Sequence, residues 1–250
     1  MLRPCAFALP LASLAFNIAM ASPAAASPPN YPFPQHVQYA PGTLRPNDRT
    51  QAQQDQDVRD KYGNWKSLYL VQAPPDPAGN ARYRIQDPLR NGVTVSEGQG
   101  YGMVIVALMA GVNGDEQTIF DGLWEFAADH VSSYDPRHMA WEVYADGTQR
   151  TSSAFDGDAD IAYGLLLADR QWGSGGRINY LFEAGQVIAG IMSSDIGPQS
   201  LLPMWGDGID PNGAIYNQYL HRTSDFMPAH FRTFGWENEA IPTSVCNRGT

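Results

Sequence analysis

Two helical segments that are apolar on every side most constrain the fold of this chain. Residues 96–110 and 158–172 carry apolar side chains around most of the helix, whereas residues 115–131 and 179–192 show the one-sided pattern of helices with a solvent face. The apolar segments are too short to span a bilayer, so protein must surround them. Their alternation with half-buried helices predicts an all-α fold in concentric layers. A simple helical bundle is the alternative, but long Gly- and Pro-rich loops favour layers.

The remaining segments extend this helix–loop pattern. Residues 50–71 predict an amphipathic helix, residues 74–92 a loop rich in Pro, Gly and Asn, and a further helix is expected from near Ser224 through Phe234. Residues 139–144 offer the one segment that resembles a strand, as part of a hairpin-like loop.

The charge balance limits the classes of partner. The chain has a formal net charge of −10, which argues against nucleic acid and against an anionic membrane surface. Neutral or cationic glycans remain compatible with this charge.

The first 26 residues resemble a secretory signal peptide. Arg3 precedes an apolar run from Cys5 to Ala21, and a run of small residues, 24–26, offers a cleavage site. A transmembrane helix is the less favoured alternative, because the run is short and broken by Pro10. We therefore expect a secreted protein, extracellular or periplasmic. Cleavage would leave Cys246 as the single cysteine, so no disulfide framework is expected. Residues 27–46 are Pro-rich and predict an extended entry arm.

Glu97 is the first candidate catalytic residue. It follows Ser96, which has Gln99 three residues on, the spacing of a helix capping box. Three nearby glycines, Gly98, Gly100 and Gly102, would let a ligand approach the backbone closely. They do not form a dinucleotide-binding fingerprint, because Met103 replaces the third glycine of that motif. The spacing is also consistent with a Glu97 that has no catalytic role and only interacts with the positive end of the helix dipole, where acidic residues are common.

A second acidic group lies at the start of the other apolar helix. Asp156, Asp158 and Asp160 resemble the opening of a calcium loop, but Leu167 occupies the position that needs a bidentate Glu, so this interpretation is rejected. Asp158 and Asp160 are expected to cap the helix locally. Asp156 is expected in the preceding loop, where it could face a ligand.

Two tryptophans are candidates for contacts with a sugar ring. Trp141 and Trp205 lie in loops, and such side chains offer flat apolar faces over a cleft. Anchoring of each loop in the core is an equally good explanation. The five histidines show no metal-ligand spacing, and no Gly-x-Ser-x-Gly motif supports a serine hydrolase. No metal and no cofactor are predicted.

Together, these two acidic segments resemble glycoside hydrolase family 8, which includes endoglucanases, lichenases, chitosanases and xylanases. The segment Glu97–Met103 resembles the general-acid region of the family. The family's Asp-containing signature is matched at Ala154, Asp156, Gly157, Asp158, Ile161, Ala162, Ala168 and Trp172. Phe155 and Gly164 depart from that signature. The resemblance extends from about Arg45 to Phe234 and includes residues 223–228.

The resemblance implies an (α/α)6 toroid and an inverting reaction. Glu97 would protonate the leaving oxygen, Asp156 would hold the distorted sugar, and a second carboxylate would activate water from the opposite face. In the family that second carboxylate lies further along the chain than this sequence extends. Asp225 is therefore expected only to line the cleft and bind substrate, like Trp141 and Trp205.

Three functions from different classes remain open. We expect a secreted β-1,4-glycanase that acts as a monomer, when the domain is intact, on β-glucan or cellulose-type polysaccharide ahead of chitosan or xylan. The alternative is a truncated, catalytically impaired glycan-binding remnant without its general base. The third is a structural helical domain without a ligand.

From its length, the chain is expected to contain about half of the toroid. Twelve helices with loops need well over ~300 residues, and about six can be identified here. Residues 47–234 are expected to form the N-terminal part of the catalytic domain. Residues 235–250 lose the apolar periodicity and predict an aberrant or unstructured tail.

Overall fold

A computed structural model describes residues 28–240, with side chains described to residue 235. The expected signal peptide and residues 241–250 of the expected tail, including Cys5 and Cys246, lie outside the described residues. In the described part the α-helices are α1 Gln51–Tyr69, α2 Ser96–Leu108, α3 Glu116–Asp129, α4 Phe155–Trp172, α5 Tyr180–Gly190 and α6 Pro228–Ala240. A π-helical turn, Ile191–Asp195, directly follows α5.

Four short strands accompany the helices, more than the sequence indicates. β1 (Leu70–Ala73) pairs antiparallel with β2 (Arg82–Ile85), and β3 (Thr94–Val95) pairs with β4 (Glu142–Val143). The predicted helix to residue 71 is therefore wrong at residues 70 and 71, which belong to β1. The predicted loop over 74–92 is wrong at residues 82–85, which form β2. β4 agrees with the strand-like character of residues 139–144.

The layered arrangement follows the predicted alternation of helices. α4 packs along α2 and against α5, while α3 packs on α2 and β2. Large apolar side chains from both inner helices, among them Met103 and Leu165, are fully buried, as are Phe120 and Leu123 of α3. The inner helices therefore form the centre of one core, and α3 and α5 cover it with their apolar faces.

The expectation that α2 is buried on every side is wrong. Tyr101 and Leu108 are 50% and 54% exposed, and the same helix lines an apolar cavity of about 490 Å³ that it shares with Trp65 and Tyr69. One flank of this inner helix is thus open in the described part of the chain.

The two ends of the described region are both ordered against or within helices. The entry arm lies against the ends of the inner helices, where Asn30 N donates to Gln171 O at 2.8 Å and Phe33 N to Ala110 O at 2.9 Å. At the other end, α6 continues to Ala240, beyond the point at which the sequence predicts loss of the helix. Residues 235–240 are therefore helical rather than unstructured. No helix among the described residues combines the length and apolar character required to cross a membrane.

Candidate active site

The N-terminal turns of α2 and α4 meet side by side. Gly157 lies so close to Ser96 that a Cβ at Gly157 would be 2.2 Å from the Ser96 hydroxyl oxygen. One turn further, a Cβ at Gly100 would lie 2.6 Å from the Cβ of Asp160. Absence of side chains at these glycines lets the two helices approach each other. Glu97 and Asp156, which neighbour the contact in sequence, are thereby brought to the same end of the helix pair.

Each of these helix ends is held by a loop tryptophan. The backbone N–H of Ser96 donates to the carbonyl of Trp141 at 3.0 Å, and that of Phe155 donates to the carbonyl of Trp205 at 3.2 Å. These bonds satisfy N–H groups that the helices themselves leave free. Both tryptophans therefore flank the end of the helix pair that carries the two carboxylates.

Tyr101 links the two candidate carboxylates electrostatically. Its hydroxyl donates to Glu97 Oε1 at 3.1 Å, one turn back along α2. Burial and the Glu97 carboxylate raise the pKa of Tyr101 to about 12, and Asp160 and Asp156 add to the effect. Tyr101 therefore contacts Glu97 directly and lies within electrostatic range of Asp156.

The structure corrects three predictions about the acidic residues of α4. Asp156 lies in the first turn of the helix rather than in the preceding loop, and one of its oxygens accepts the N–H of Gly157 at 2.9 Å. Asp158 is fully buried beside His138, and Asp160 bonds to Nε2 of His230 on α6 at 2.8 Å. The residue expected to be free thus makes the local contact, and the two expected caps form long-range pairs.

The capping box predicted at the start of α2 is also absent in the described structure. Val95 is the N-cap residue, and Ser96 is already helical. Gln99 instead accepts the N–H of Ile85 at 2.9 Å and donates to the carbonyl oxygens of Tyr83 and Leu123 at 3.2 and 2.8 Å. Its side chain joins α2 to β2 and α3.

Arg222 connects the residues on the α4 side of the site. Its guanidinium donates to Asp225 Oδ2 at 3.0 Å, lies 3.7 Å from Asp156 Oδ2, and stands over the Trp205 ring at 5.3 Å from its centre. Burial raises the pKa of Asp225, Arg222 opposes this rise, and the charge of Asp156 adds to it. Asp225 is therefore an anchored, buried partner of Arg222 next to Asp156.

The rings of the two tryptophans are half-buried and differ in their neighbours. Trp205 packs edge-on against Tyr216 with a centre-to-centre distance of 5.1 Å, in addition to its contact with Arg222. The Trp141 ring has Arg150 at 5.8 Å. Sugar contacts by Trp141, Trp205 and Asp225 stay predictions.

Sequence reasoning missed Tyr101, Arg222 and His138. Tyr101 lies four residues after Glu97, and that spacing places two side chains on one helix face, so this partner could have been found. Arg222 and His138 lie in loops that fold back onto α4. Contacts of this kind cannot be predicted from the spacing of residues in the sequence.

Comparison with known proteins assigns the class of this fold and site. Residues 48–229 match the model of "Glycosyl hydrolases family 8". A β-glucanase of Niallia circulans is 42% identical over 229 residues, which are 91% of this chain and 54% of that protein. An endoglucanase of Bacillus sp. strain KSM-330 is 40% identical over 214 residues, covering 81% of this chain and 44% of that protein.

Solved structures give the same result. The apo structure of a β-1,3-1,4-glucanase from Paenibacillus sp. X4 superposes with a TM-score of 0.77 at 40% identity, over 88% of this chain and 56% of that one. A family 8 xylanase from Teredinibacter turnerae, at 20% identity and a TM-score of 0.53 over 64% of this chain and 46% of that one, shares the fold.

This chain belongs to glycoside hydrolase family 8. Its helices have the arrangement of part of the family's (α/α)6 toroid, which confirms the predicted fold class. The chain spans about half the length of the relatives it matches.

Proposed function

We propose that this protein is a glycoside hydrolase that cleaves β-1,4 linkages in a β-glucan, with inversion at the anomeric carbon. The observation that supports the proposal is the meeting of the α2 and α4 N-termini, because these helix ends carry Glu97 and Asp156. The similarity to β-glucanases and endoglucanases at 40–42% identity supports a β-glucan substrate ahead of chitosan or xylan.

The proposed roles follow from the position of each side chain. Glu97 is only partly buried and accepts a hydrogen bond from Tyr101, so its second oxygen can carry the proton for the glycosidic oxygen. The guanidinium of Arg222 lies 3.7 Å from Asp156 Oδ2. The Asp156 carboxylate can accept hydrogen bonds from sugar hydroxyls and stabilise positive charge at the ring during cleavage.

Inversion needs a second carboxylate as base, with roughly 6.5–9.5 Å between the two carboxyl groups. Asp225 is a poor candidate for that base, because it is fully buried and bonded to Arg222 and Ser224. We leave the base unassigned among the described residues. A glycan-binding protein without turnover is therefore the second candidate function, and this burial of Asp225 is the observation that favours it.

We further propose that the protein is secreted and that its folded domain acts as a monomer. The Arg3-led apolar run and the small residues 24–26 support secretion. Sequencing of the N-terminus of protein recovered from the periplasm or medium tests this part, because cleavage after residue 26 is expected and an intact Met1 would contradict it.

Assays of the full chain separate the functions. Release of reducing ends from mixed-linkage β-glucan, with NMR observation of an α-anomer as the first product, is the result expected for an inverting β-glucanase. Binding of gluco-oligosaccharides in calorimetry without release of reducing ends would support the glycan-binding alternative. Absence of both turnover and binding in a chain shown to be folded would contradict both functions.

A further inference from the structure

A buried cluster of one histidine and two aspartates includes a residue of the first turn of α4. The cluster consists of His138 from the loop before β4, Asp158 from the first turn of α4, and Asp195 from the π-helical turn after α5. All three side chains are completely buried. One donor atom from each lies within 4.8 Å of the others. We refer to it as the His–Asp–Asp cluster.

The distances within the cluster are too long for hydrogen bonds. Nδ1 of His138 lies 3.6 Å from Asp158 Oδ2 and 3.7 Å from Asp195 Oδ2. A third carboxylate, that of Asp207, also lies 3.7 Å from this nitrogen, but it accepts the N–H groups of Ser153 and Asp135. The Ser153 hydroxyl lies 3.5 Å from the same nitrogen. The carboxylates and this hydroxyl therefore surround Nδ1 with space between the atoms.

Both carboxylates of the cluster lack the partners that buried oxygens normally have. None of the four carboxylate oxygens of Asp158 and Asp195 has a partner with full hydrogen-bond geometry in the described part of the chain, and the Ser153 hydroxyl is the side-chain donor that lies near Asp158. Buried carboxylates without such partners are strongly unfavourable. Burial raises the pKa of both groups, and the charge of His138 opposes the rise.

An imidazolium alone does not resolve this arrangement. A proton on Nδ1 can be donated to only one carboxylate at a time. The guanidinium of Arg137, whose charge also acts on Asp195, donates its hydrogen bonds to Asp135 at 2.5 Å and to Ser193 at 2.6 Å. A cation located between Nδ1 and the two carboxylates would compensate both carboxylates at once.

The separations match the coordination sphere of a small divalent metal. Zn–N and Zn–O distances of about 2.0–2.2 Å in a tetrahedron place neighbouring ligand atoms about 3.4 Å apart. The distances of 3.6 and 3.7 Å from His138 Nδ1 to the two carboxylates need only a small contraction to reach this value, and all three ligand atoms lie within 4.8 Å of one another. A nitrogen donor with carboxylate oxygens suits Zn²⁺ or Mn²⁺, whereas Ca²⁺ and Mg²⁺ take oxygen ligands.

The residues around the cluster fix the orientation of the His138 ring and leave a cavity through which a metal ion can enter. The His138 ring lies against Gly190, where a Cβ would be 2.4 Å from Nε2, so Nδ1 is held toward the carboxylates. A cavity of about 210 Å³, lined among others by Arg137, Glu183 and Asp158, adjoins the cluster. An ion could reach the ligands through this cavity.

We propose that His138, Asp158 and Asp195 bind one divalent transition-metal ion, with Zn²⁺ preferred over Mn²⁺. The ion would join three segments that are distant in sequence and would fix the first turn of α4, two residues from Asp156. The site is structural, and it does not depend on the proposed glycosidase activity. Asp207 would not bind the ion directly. Its carboxylate would hold the neighbouring loops in place through the N–H groups of Ser153 and Asp135.

The test uses the full chain with both cysteines replaced by serine, so that thiols do not bind zinc. The chain is dialysed against EDTA, freed of chelator, shown to be folded by circular dichroism, and titrated with ZnCl₂, MnCl₂ and CaCl₂ in a calorimeter. We expect one Zn²⁺ per chain, weaker binding of Mn²⁺ and no binding of Ca²⁺. The melting temperature should rise as the Zn²⁺ concentration increases.

Matched variants locate the binding. Asp195→Asn and His138→Gln should each weaken Zn²⁺ binding by ~10–100-fold or more, because each removes a ligand. His130→Gln is the control, since the Nδ1 of His130 is bonded to the Phe126 carbonyl at 2.8 Å outside the cluster. A folded parent chain that binds no Zn²⁺, or equal binding by His138→Gln and the parent, would overturn the proposal. If a variant does not fold, the titration of the parent chain still decides.

Discussion

Gly157 of α4 lies directly against Ser96 of α2, and no room is left between them for even a methyl group. This contact fixes where the two inner helices begin relative to one another. Glu97 follows Ser96 and Asp156 precedes Gly157, so the separation of the two candidate site carboxylates depends on this close approach and on that of Gly100 to Asp160 one turn further. Helix packing and site geometry are therefore coupled at these glycines.

Gly157→Ala should disturb both stability and activity. The added Cβ would lie 2.2 Å from Ser96 Oγ and 2.7 Å from its backbone carbon, so the helix ends must separate. Overpacking of this kind costs ~1–3 kcal/mol. We expect a lower melting temperature and reduced β-glucan hydrolysis. Gly176→Ala, where nothing lies within 4 Å of an added Cβ, is the control and should change neither quantity. Equal melting temperatures for the two variants would contradict this account.

Glu97→Gln should abolish most turnover of β-glucan without loss of binding. The amide keeps the size of the side chain and can still accept the Tyr101 hydroxyl, but it cannot donate a proton to a leaving group. The expected loss in kcat is ~10²–10⁴-fold. An aryl glycoside with an acidic phenol needs little protonation, so its hydrolysis should fall much less. A similar loss with both substrates would argue that Glu97 has a different role.

The repeating apolar pattern made the layered helical fold predictable from sequence. Met103 and Leu165 are fully buried, and fully buried positions in a helix carry apolar side chains. The pattern of apolar residues along the sequence therefore indicates which helices form the core. The short β1–β2 hairpin was not predictable, because its strands have four residues each and lie within a segment that is rich in turn-forming residues. Burial of Tyr83 and Ile85 by α3 and α2, rather than their local pattern, selects the strand there.

Polar residues were predicted less well, because their partners are distant in sequence. Gln99 had the right spacing for a cap but bonds to β2 and α3 instead, and Asp160 bonds to His230, 70 residues away. Glu97 and Asp156 were identified through the family motifs. The meeting of the helices that carry them needed the structure.

Arg222→Gln should destabilise the protein through Asp225. Asp225 is fully buried and receives its charged hydrogen bond from Arg222, so removal of the guanidinium leaves a buried carboxylate poorly compensated. The expected cost is ~1–3 kcal/mol in urea unfolding. Asp225→Asn in the Arg222→Gln background should recover part of this loss, because the neutral amide no longer needs a cation. A double variant less stable than Arg222→Gln alone would refute the pairing.

Asp121 should make stability fall as pH rises from about 4 to about 6. Burial raises its pKa from 3.8 to about 6, although Tyr180 and Arg177 donate hydrogen bonds to it. Because the folded-state pKa lies above the unfolded one, the protonated carboxyl stabilises the fold below pH 4, and this contribution is lost through pH 6. The pKa difference corresponds to about 3 kcal/mol at most.

Asp121→Asn isolates this contribution. The amide stays neutral at every pH and can still accept the Tyr180 hydroxyl, so the variant should gain in melting temperature relative to the parent as pH rises from 4 to 7. Asp169→Asn is the comparison variant, because the Asp169 carboxylate accepts the Ser174 hydroxyl near the end of α4. Its melting temperature relative to the parent should not show the rise between pH 4 and pH 7 that is expected for Asp121→Asn. A constant difference between Asp121→Asn and the parent across this range would show that Asp121 has an ordinary pKa.

Gln99→Met should cost more stability than loss of a helix cap. Met has nearly the same length and an apolar character that suits this fully buried position, so packing is retained while three hydrogen bonds are removed. The Ile85 N–H would then be left without its side-chain partner, and an unsatisfied buried group costs ~1–3 kcal/mol. The carbonyl of Leu123 lies within α3 and keeps a helical donor, so its loss is that of the Gln99 bond alone. Loss of an N-cap typically costs ~1 kcal/mol. An unfolding free energy lowered by clearly more than this value identifies Gln99 as the link between α2, β2 and α3. Gln53→Met is the matched control and should show only the smaller loss, because it removes the bond from the Thr50 N–H to the Gln53 side chain and leaves the Thr50 cap in place.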